Sequence, residues 1–353
     1  MGLRLRGWWE RGGRLRRGVL ATIVAAAVVV PLSGAGQARA TPAPAPPRLP
    51  ALTAANLAEH YAADRAAARA AARMAQTHGD GERAANLYAL ASPQRQLLAF
   101  DGRGDGRAVE VLGELATADR IAVLVPGADT TVDTFDPSEG TDNPAKSLAG
   151  AARSLYAEAR RQAPRARVAV VAWLGYDTPG TVSTEALTTG RADDGAVELR
   201  SFINSLRHVT APDARFALLC HSYGSAVCGR AADELPAATA RGRGAAAVDR
   251  AVTDIAFFGS PGTGAESADA LGTEARVWAG RGGDDWIEHV PHAGPDLLGT
   301  HLGLGPDPLS GDFGARRFAA GDGGHSDYLR PGSESLRNLA RIARGESSAV
   351  GHG

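Results

Sequence analysis

The sequence predicts an α/β protein, a doubly wound and mostly parallel sheet with helices on both faces, preceded by a short helical N-terminal segment. Three observations carry that prediction. Apolar runs of strand length alternate with helical stretches between about residues 95 and 345. The run Phe216-Ala217-Leu218-Leu219 passes directly into Cys220-His221-Ser222-Tyr223-Gly224-Ser225, a strand that ends in a small-residue turn around a serine and continues as a helix. Two later strand-like runs end in glycine-rich loops that carry Asp284-Asp285 and His325. Reactive groups collect in this way at the carboxyl ends of a parallel sheet.

Residues 1–40 read as a signal peptide. An Arg-rich start precedes the apolar stretch Val19 to Val30, and Ala38-Arg39-Ala40 is a small-x-small cleavage site. The apolar stretch is shorter than the roughly 20 residues a membrane-spanning helix needs. Arg16-Arg17 leaves the twin-arginine and general routes both open. Residues 41–51 form a Pro-rich linker, and the expected location is secreted or cell-envelope. The first forty residues carry seven Arg and one Glu against a total charge of −1, so the remainder is acidic by about seven. That balance gives no support for nucleic-acid binding.

Residues 52–94 are Ala-rich with helical periodicity broken at Gly79-Asp80-Gly81, which predicts two packed helices, support rather than a cap over the site. From 95 to 345 the expected order is a hairpin (96–100 and 108–112), strand 120–125, helix 145–162 and strand 167–173. Next come helix 192–208, strand 215–220, helix 222–234, strands 251–258 and 275–280, a short strand at 316–319 and a final helix from Ser333 to Arg344. Thr181 to Thr189 is a candidate lid. The acidic loop Asp133, Asp136, Glu139, Asp142 lacks calcium-loop spacing and is expected to be solvated, the Arg241 to Gly244 tract a surface loop, and 346–353 a disordered tail.

The turn around Ser222 predicts a nucleophile held proud of the sheet, with the following helix aiming its free N–H groups at a developing oxyanion. An acid and then a histidine complete such a site in the order Ser…Asp…His. Asp285 and His325 are the candidates, with Asp284 a neighbour whose charge would raise the Asp285 pKa. His289, His292 and His301 are expected to be structural or exposed. The backbone N–H of Tyr223 is one candidate oxyanion donor. The loop Pro126-Gly127-Ala128-Asp129 after an earlier strand supplies the other, at Ala128. The only cysteines, Cys220 and Cys228, flank Ser222, and they are either a bridge that braces the turn or two small buried residues. No metal or other cofactor is expected.

On His221 to Ser225, Phe258-Gly259-Ser260-Pro261-Gly262, Asp285-Trp286-Ile287 and His325-Ser326-Asp327-Tyr328-Leu329, the chain resembles a secreted actinobacterial α/β-hydrolase family of unknown function. Phe-Gly-Ser-Pro and the run Asp285 to Pro291 are also similar to a group of triacylglycerol lipases. The resemblance implies an α/β-hydrolase fold over roughly 95–345, with Asp285 rather than Asp284 as the acid. The expected function is a serine hydrolase cleaving a small-molecule or lipid carboxylic ester. The alternatives are acyl transfer through the same acyl-enzyme, a peptidase or amidase, or a non-catalytic envelope or binding protein on the same scaffold.

Overall fold

The structure, a computed structural model, describes residues 41–137, 143–236, 251–290, 296–297, 300–301 and 303–353. The signal peptide expected at 1–40, the Arg241 to Gly244 tract, Glu139, Asp142 and His292 lie outside them.

Two helices come first, α1 (Leu57–His78) and α2 (Gly81–Leu90). Gly79 turns the chain between them at φ 89°, and the Asp80 side chain caps α2 by accepting the Arg83 N–H. The alanine face of α1 and Leu87 and Leu90 of α2 are buried in the same core as the sheet, and no residue of 52–94 lines the cavity at the strand ends. They support the sheet.

The rest alternates: β1 (Gln96–Asp101), β2 (Arg107–Leu112), β3 (Arg120–Val125), α3 (Val132–Phe135), α4 (Leu148–Gln162), β4 (Val168–Leu174), α5 (Gly190–Arg207) and β5 (Arg215–His221). Then follow α6 (Gly224–Ala231), β6 (Val252–Phe258), β7 (Arg276–Gly280), β8 (Asp296–Leu297), β9 (Thr300–His301), β10 (Arg316–Arg317) and α7 (Glu334–Ala343). The main sheet runs β1-β2-β4-β3-β5-β6-β7-β10. β1, β2 and β4 pair antiparallel, and every pair from β4 to β10 is parallel.

The central strands are apolar on both sides because helices cover both faces. Ile121, Val123 and Val125 of β3 enter one core with α5 and α6, whereas Ala122 and Leu124 enter the other with α4 and α7. Register brings Val125 opposite Cys220, His221 opposite Phe258 and Phe258 opposite Gly280, so the carboxyl ends of β3, β5, β6 and β7 lie side by side.

Four expectations change. Residues 346–353 are packed rather than disordered: Val350 is buried, the Ala319 N–H donates to the Gly351 carbonyl, and the Gly351 N–H donates to Asn338. The polar, glycine-bearing tail gives no periodic signal because its anchors are single contacts. Asp133 and Asp136 are half-buried in ion pairs rather than freely solvated: Arg83 pairs with the first at 2.6 Å and Arg95 and Arg153 with the second at 2.5 Å. Those arginines come from distant elements, invisible to local spacing. β10 is two residues long, and β8 and β9 form a two-residue ladder that no sequence pattern marks. The cysteine alternative resolves as a disulfide between Cys220 at the end of β5 and Cys228 in α6.

Candidate active site

Ser222 sits between β5 and α6 with φ 53°, left-handed backbone that a non-glycine residue adopts only under constraint. Its N–H donates to the Phe258 carbonyl at 3.0 Å. The turn is tight because Gly224 lies against β3: a Cβ there would meet the Pro126 oxygen at 2.5 Å. A Cβ on Gly127 would meet the Ser222 Cβ at 2.6 Å, so the loop after β3 packs its backbone directly on the serine. Cys220 occupies the crowded position two residues before Ser222 and is fully buried.

His325, from the loop between β10 and α7, places Nε2 3.0 Å from Ser222 Oγ and Nδ1 2.9 Å from Asp285 Oδ1. A carboxylate only accepts, so Nδ1 carries the ring proton and Nε2 is left to accept from the serine hydroxyl. Asp285, in the turn after β7, is buried; its Oδ1 also accepts the Ile287 N–H at 2.9 Å, and its Oδ2 accepts the Tyr328 hydroxyl at 2.5 Å. Burial pushes the Asp285 pKa up, but the hydrogen bonds from His325, Tyr328 and Ile287 outweigh it and hold the carboxyl below its ordinary value. The rise expected from Asp284 does not govern the site, and Asp284 itself is exposed. His289 is likewise exposed at the end of a short 3₁₀ turn.

Three neighbours of this chain had no role assigned from sequence. Tyr328 accepts the Gly282 N–H at 3.0 Å while donating to Asp285, and burial followed by the adjoining carboxylate drives its own pKa far up. His221 places Nε2 2.8 Å from the His325 carbonyl, so that nitrogen must donate. Burial, and then the nearby His325, pushes the His221 pKa down to about 3. Trp286 lies against His325 with ring centroids 4.6 Å apart, and His221 lies 4.8 Å away. Tyr328 stands three residues after His325 and Trp286 directly after Asp285, which is the only sequence signal for either.

Ala128 in the loop after β3 and Tyr223 at the start of α6 line the same cavity as Ser222 and His325. Among the described residues, neither N–H donates to a backbone carbonyl. The cavity measures about 460 Å³. Leu124, Ala145, Leu148, Ala151, Phe258 and Leu329 line it and belong to the buried core between sheet and α4. Ala186 and Leu187 of the 181–189 segment, with Trp286 and Val290, also line it. Among the described residues no group of His, Cys, Asp and Glu side chains could hold a metal ion. No described helix is long and apolar enough to cross a membrane.

Comparison with known proteins gives the following likenesses. A family profile described as alpha/beta hydrolase matches residues 101–295, more than half of the chain. Uncharacterized protein Rv2079 of Mycobacterium tuberculosis is 31% identical over 278 residues, 72% of this chain, which spans only 39% of that protein's length. Uncharacterized protein Mb0988c of Mycobacterium bovis is 30% identical over 260 residues, 67% of this chain and 90% of its own. Among solved structures, esterase PE8 overlaps with a TM-score of 0.39 at 14% identity, covering 67% of this chain and 96% of its own.

Proposed function

The chain belongs to the alpha/beta hydrolase family, and on that premise we propose that it is a secreted serine hydrolase cleaving carboxylic esters. The observation that carries the reading is the continuous hydrogen-bonded line from Ser222 Oγ through His325 to a buried Asp285 carboxylate. Ser222 Oγ attacks the ester carbonyl as its proton moves to His325 Nε2. Asp285 holds the imidazole in the required tautomer and stabilises the imidazolium that forms. The Ala128 and Tyr223 N–H groups receive the oxyanion, and an alkoxide leaves with the proton from His325. Water then repeats the sequence on the acyl-enzyme and releases the acid.

The apolar residues between sheet and α4 support a hydrocarbon acyl group, with Lys146 and Ser147 of the same stretch the polar residues that also line the cavity there. The Arg-rich, apolar and small-residue pattern of the first forty residues supports export. Hydrolysis of p-nitrophenyl butyrate tests the reading. Ser222→Ala and His325→Ala are each expected to lose turnover by at least about 10³-fold, and persistence of turnover in Ser222→Ala would sink it.

A further inference from the structure

Among the described residues only two that are not glycine have positive φ: Ser222 at 53° and Asp129 at 57°. The first is the nucleophile of the proposed reaction. The second directly follows Ala128 and lines the same cavity as Ser222. Strain of this kind persists where the surroundings over-determine it, and it clusters at functional sites.

The surroundings of Asp129 do over-determine it. Its N–H donates to the Pro179 carbonyl at 3.0 Å, and its carboxylate Oδ1 accepts the Thr181 N–H at 3.0 Å. Its carbonyl accepts the Thr134 hydroxyl at 3.1 Å. One residue on, the Thr130 N–H donates to Thr178 Oγ1 at 3.2 Å, and that hydroxyl donates back to the Thr130 carbonyl at 3.0 Å. The loop after β3 is therefore fastened to the segment 178–181 at both residues 129 and 130. The Gly127 carbonyl accepts the Thr130 hydroxyl at 3.2 Å. In a trans peptide the N–H points opposite to the C=O, so this bond turns the Ala128 N–H away from Thr130. The next peptide plane is held by Asp129 itself. Both planes flanking Ala128 are thus fixed by bonds that depend on the 129–130 turn.

A left-handed turn alone would be met best by glycine, which this chain uses 44 times. Aspartate tolerates that region and adds an acceptor. We infer that Asp129 is a positioning residue for the reaction: its carboxylate, tied to the Thr181 N–H, holds the turn that aims the Ala128 N–H at the oxyanion. The inference rests on the proposed hydrolase reading and on Ala128 as a donor.

The test compares three substitutions that separate the turn from the carboxylate. Asn keeps both the left-handed tolerance and an Oδ1 acceptor, Gly keeps only the tolerance, and Ala keeps neither. Thr181→Pro removes the N–H partner and leaves Asp129 in place. Each protein is titrated with a fluorophosphonate to count reactive Ser222 sites, and kcat and KM for p-nitrophenyl butyrate are then expressed per site. A misaimed donor loses part of the 10²–10³-fold that a deleted one costs, so kcat should fall about tenfold in Asp129→Gly and Thr181→Pro. It should fall further in Asp129→Ala and recover to within about threefold of the parent in Asp129→Asn, with KM changed by less than about twofold throughout. The double variant Asp129→Gly/Thr181→Pro should lose no more than either single one. Unchanged kcat in Asp129→Gly, a loss carried by KM, or equal losses in Gly and Asn would overturn the role of the carboxylate while leaving the hydrolase reading intact. Absence of fluorophosphonate labelling in the parent protein would instead overturn the hydrolase reading.

Discussion

Tyr328 donates its hydroxyl to Asp285 Oδ2 at 2.5 Å and accepts the Gly282 N–H, so one phenol ties the proposed acid to the turn that carries it. A hydrogen bond to a charged group contributes more than a neutral one, about 1.5–3 kcal/mol. Tyr328→Phe keeps the ring packing against Phe258 and removes both that bond and the acceptor of the Gly282 N–H, of which only the first depends on the carboxylate's charge. It should lower unfolding free energy at pH 7 by about 1.5–3 kcal/mol. The Asp285 pKa is held below its ordinary value, so its stabilising contribution is present above the unfolded-state pKa and is lost as pH falls through the folded one. The cost of Tyr328→Phe should therefore shrink in acid, and urea unfolding of both proteins at pH 7 and pH 3 measures it. A cost independent of pH would mean the bond does not act through the carboxylate.

His221 gives a second and higher window. Its folded pKa is about 3 while its ordinary value is 6.5, so unfolding takes up a proton anywhere between them. Stability from this group is complete above the unfolded pKa and declines as pH falls from about 6.5. Glutamine can still donate to the His325 carbonyl but does not titrate. Stability measured from pH 7 to 4 should therefore fall less steeply in His221→Gln than in the parent. Parallel curves would show that His221 is not buried in its neutral form.

The disulfide joins β5 to α6 across the Ser222 turn with a sequence separation of 8. Closing so short a loop restricts the unfolded chain by about 2–3 kcal/mol. The Cys220→Ser/Cys228→Ser pair should lose about that much in chemical denaturation. The turn is also held by the Ser222 N–H bond to the Phe258 carbonyl and by the close packing of Gly224 on the loop after β3, so ester turnover should survive below the lowered melting point. Loss of turnover in a protein still folded by circular dichroism would show that the bridge shapes the turn itself.

Ala151 is small, buried and on the α4 side of the cavity. A phenyl ring there removes space from the apolar end. Ala151→Phe should leave kcat/KM for acetate esters within about threefold and reduce it for decanoate esters by at least about tenfold, a discrimination of the size hydrophobic pockets achieve. A profile across p-nitrophenyl esters of increasing chain length reads it directly. An unaltered profile would place the acyl chain elsewhere in the cavity.

The succession of strands and helices along the chain, the serine turn and the loops that carry Asp285 and His325 are legible because each rests on local pattern, whereas the order of the strands in the sheet is not. Apolar runs mark β3, β5, β6 and β7, and the glycine-rich loops that follow them mark where side chains emerge. What was not legible depends on pairs far apart in the chain. Arg95 and Asp136 are separated by 41 residues, and Ala319 and Gly351 by a whole helix. Tyr328 and His221 lie within the motifs around His325 and Ser222, yet their roles depend on atoms of Asp285 and His325 that only folding brings near. Asp129 is the sharpest case, since its φ is set by Pro179 and Thr181 across a different strand connection.

The central claim is that Ser222 is an activated nucleophile. Treating the protein with a fluorophosphonate probe and mapping the adduct by mass spectrometry, with Ser222→Ala as the control, tests it most directly. The account predicts a single adduct on Ser222 that disappears in the alanine variant. A folded protein that takes up no probe, or an adduct on another residue that persists in Ser222→Ala, would contradict it.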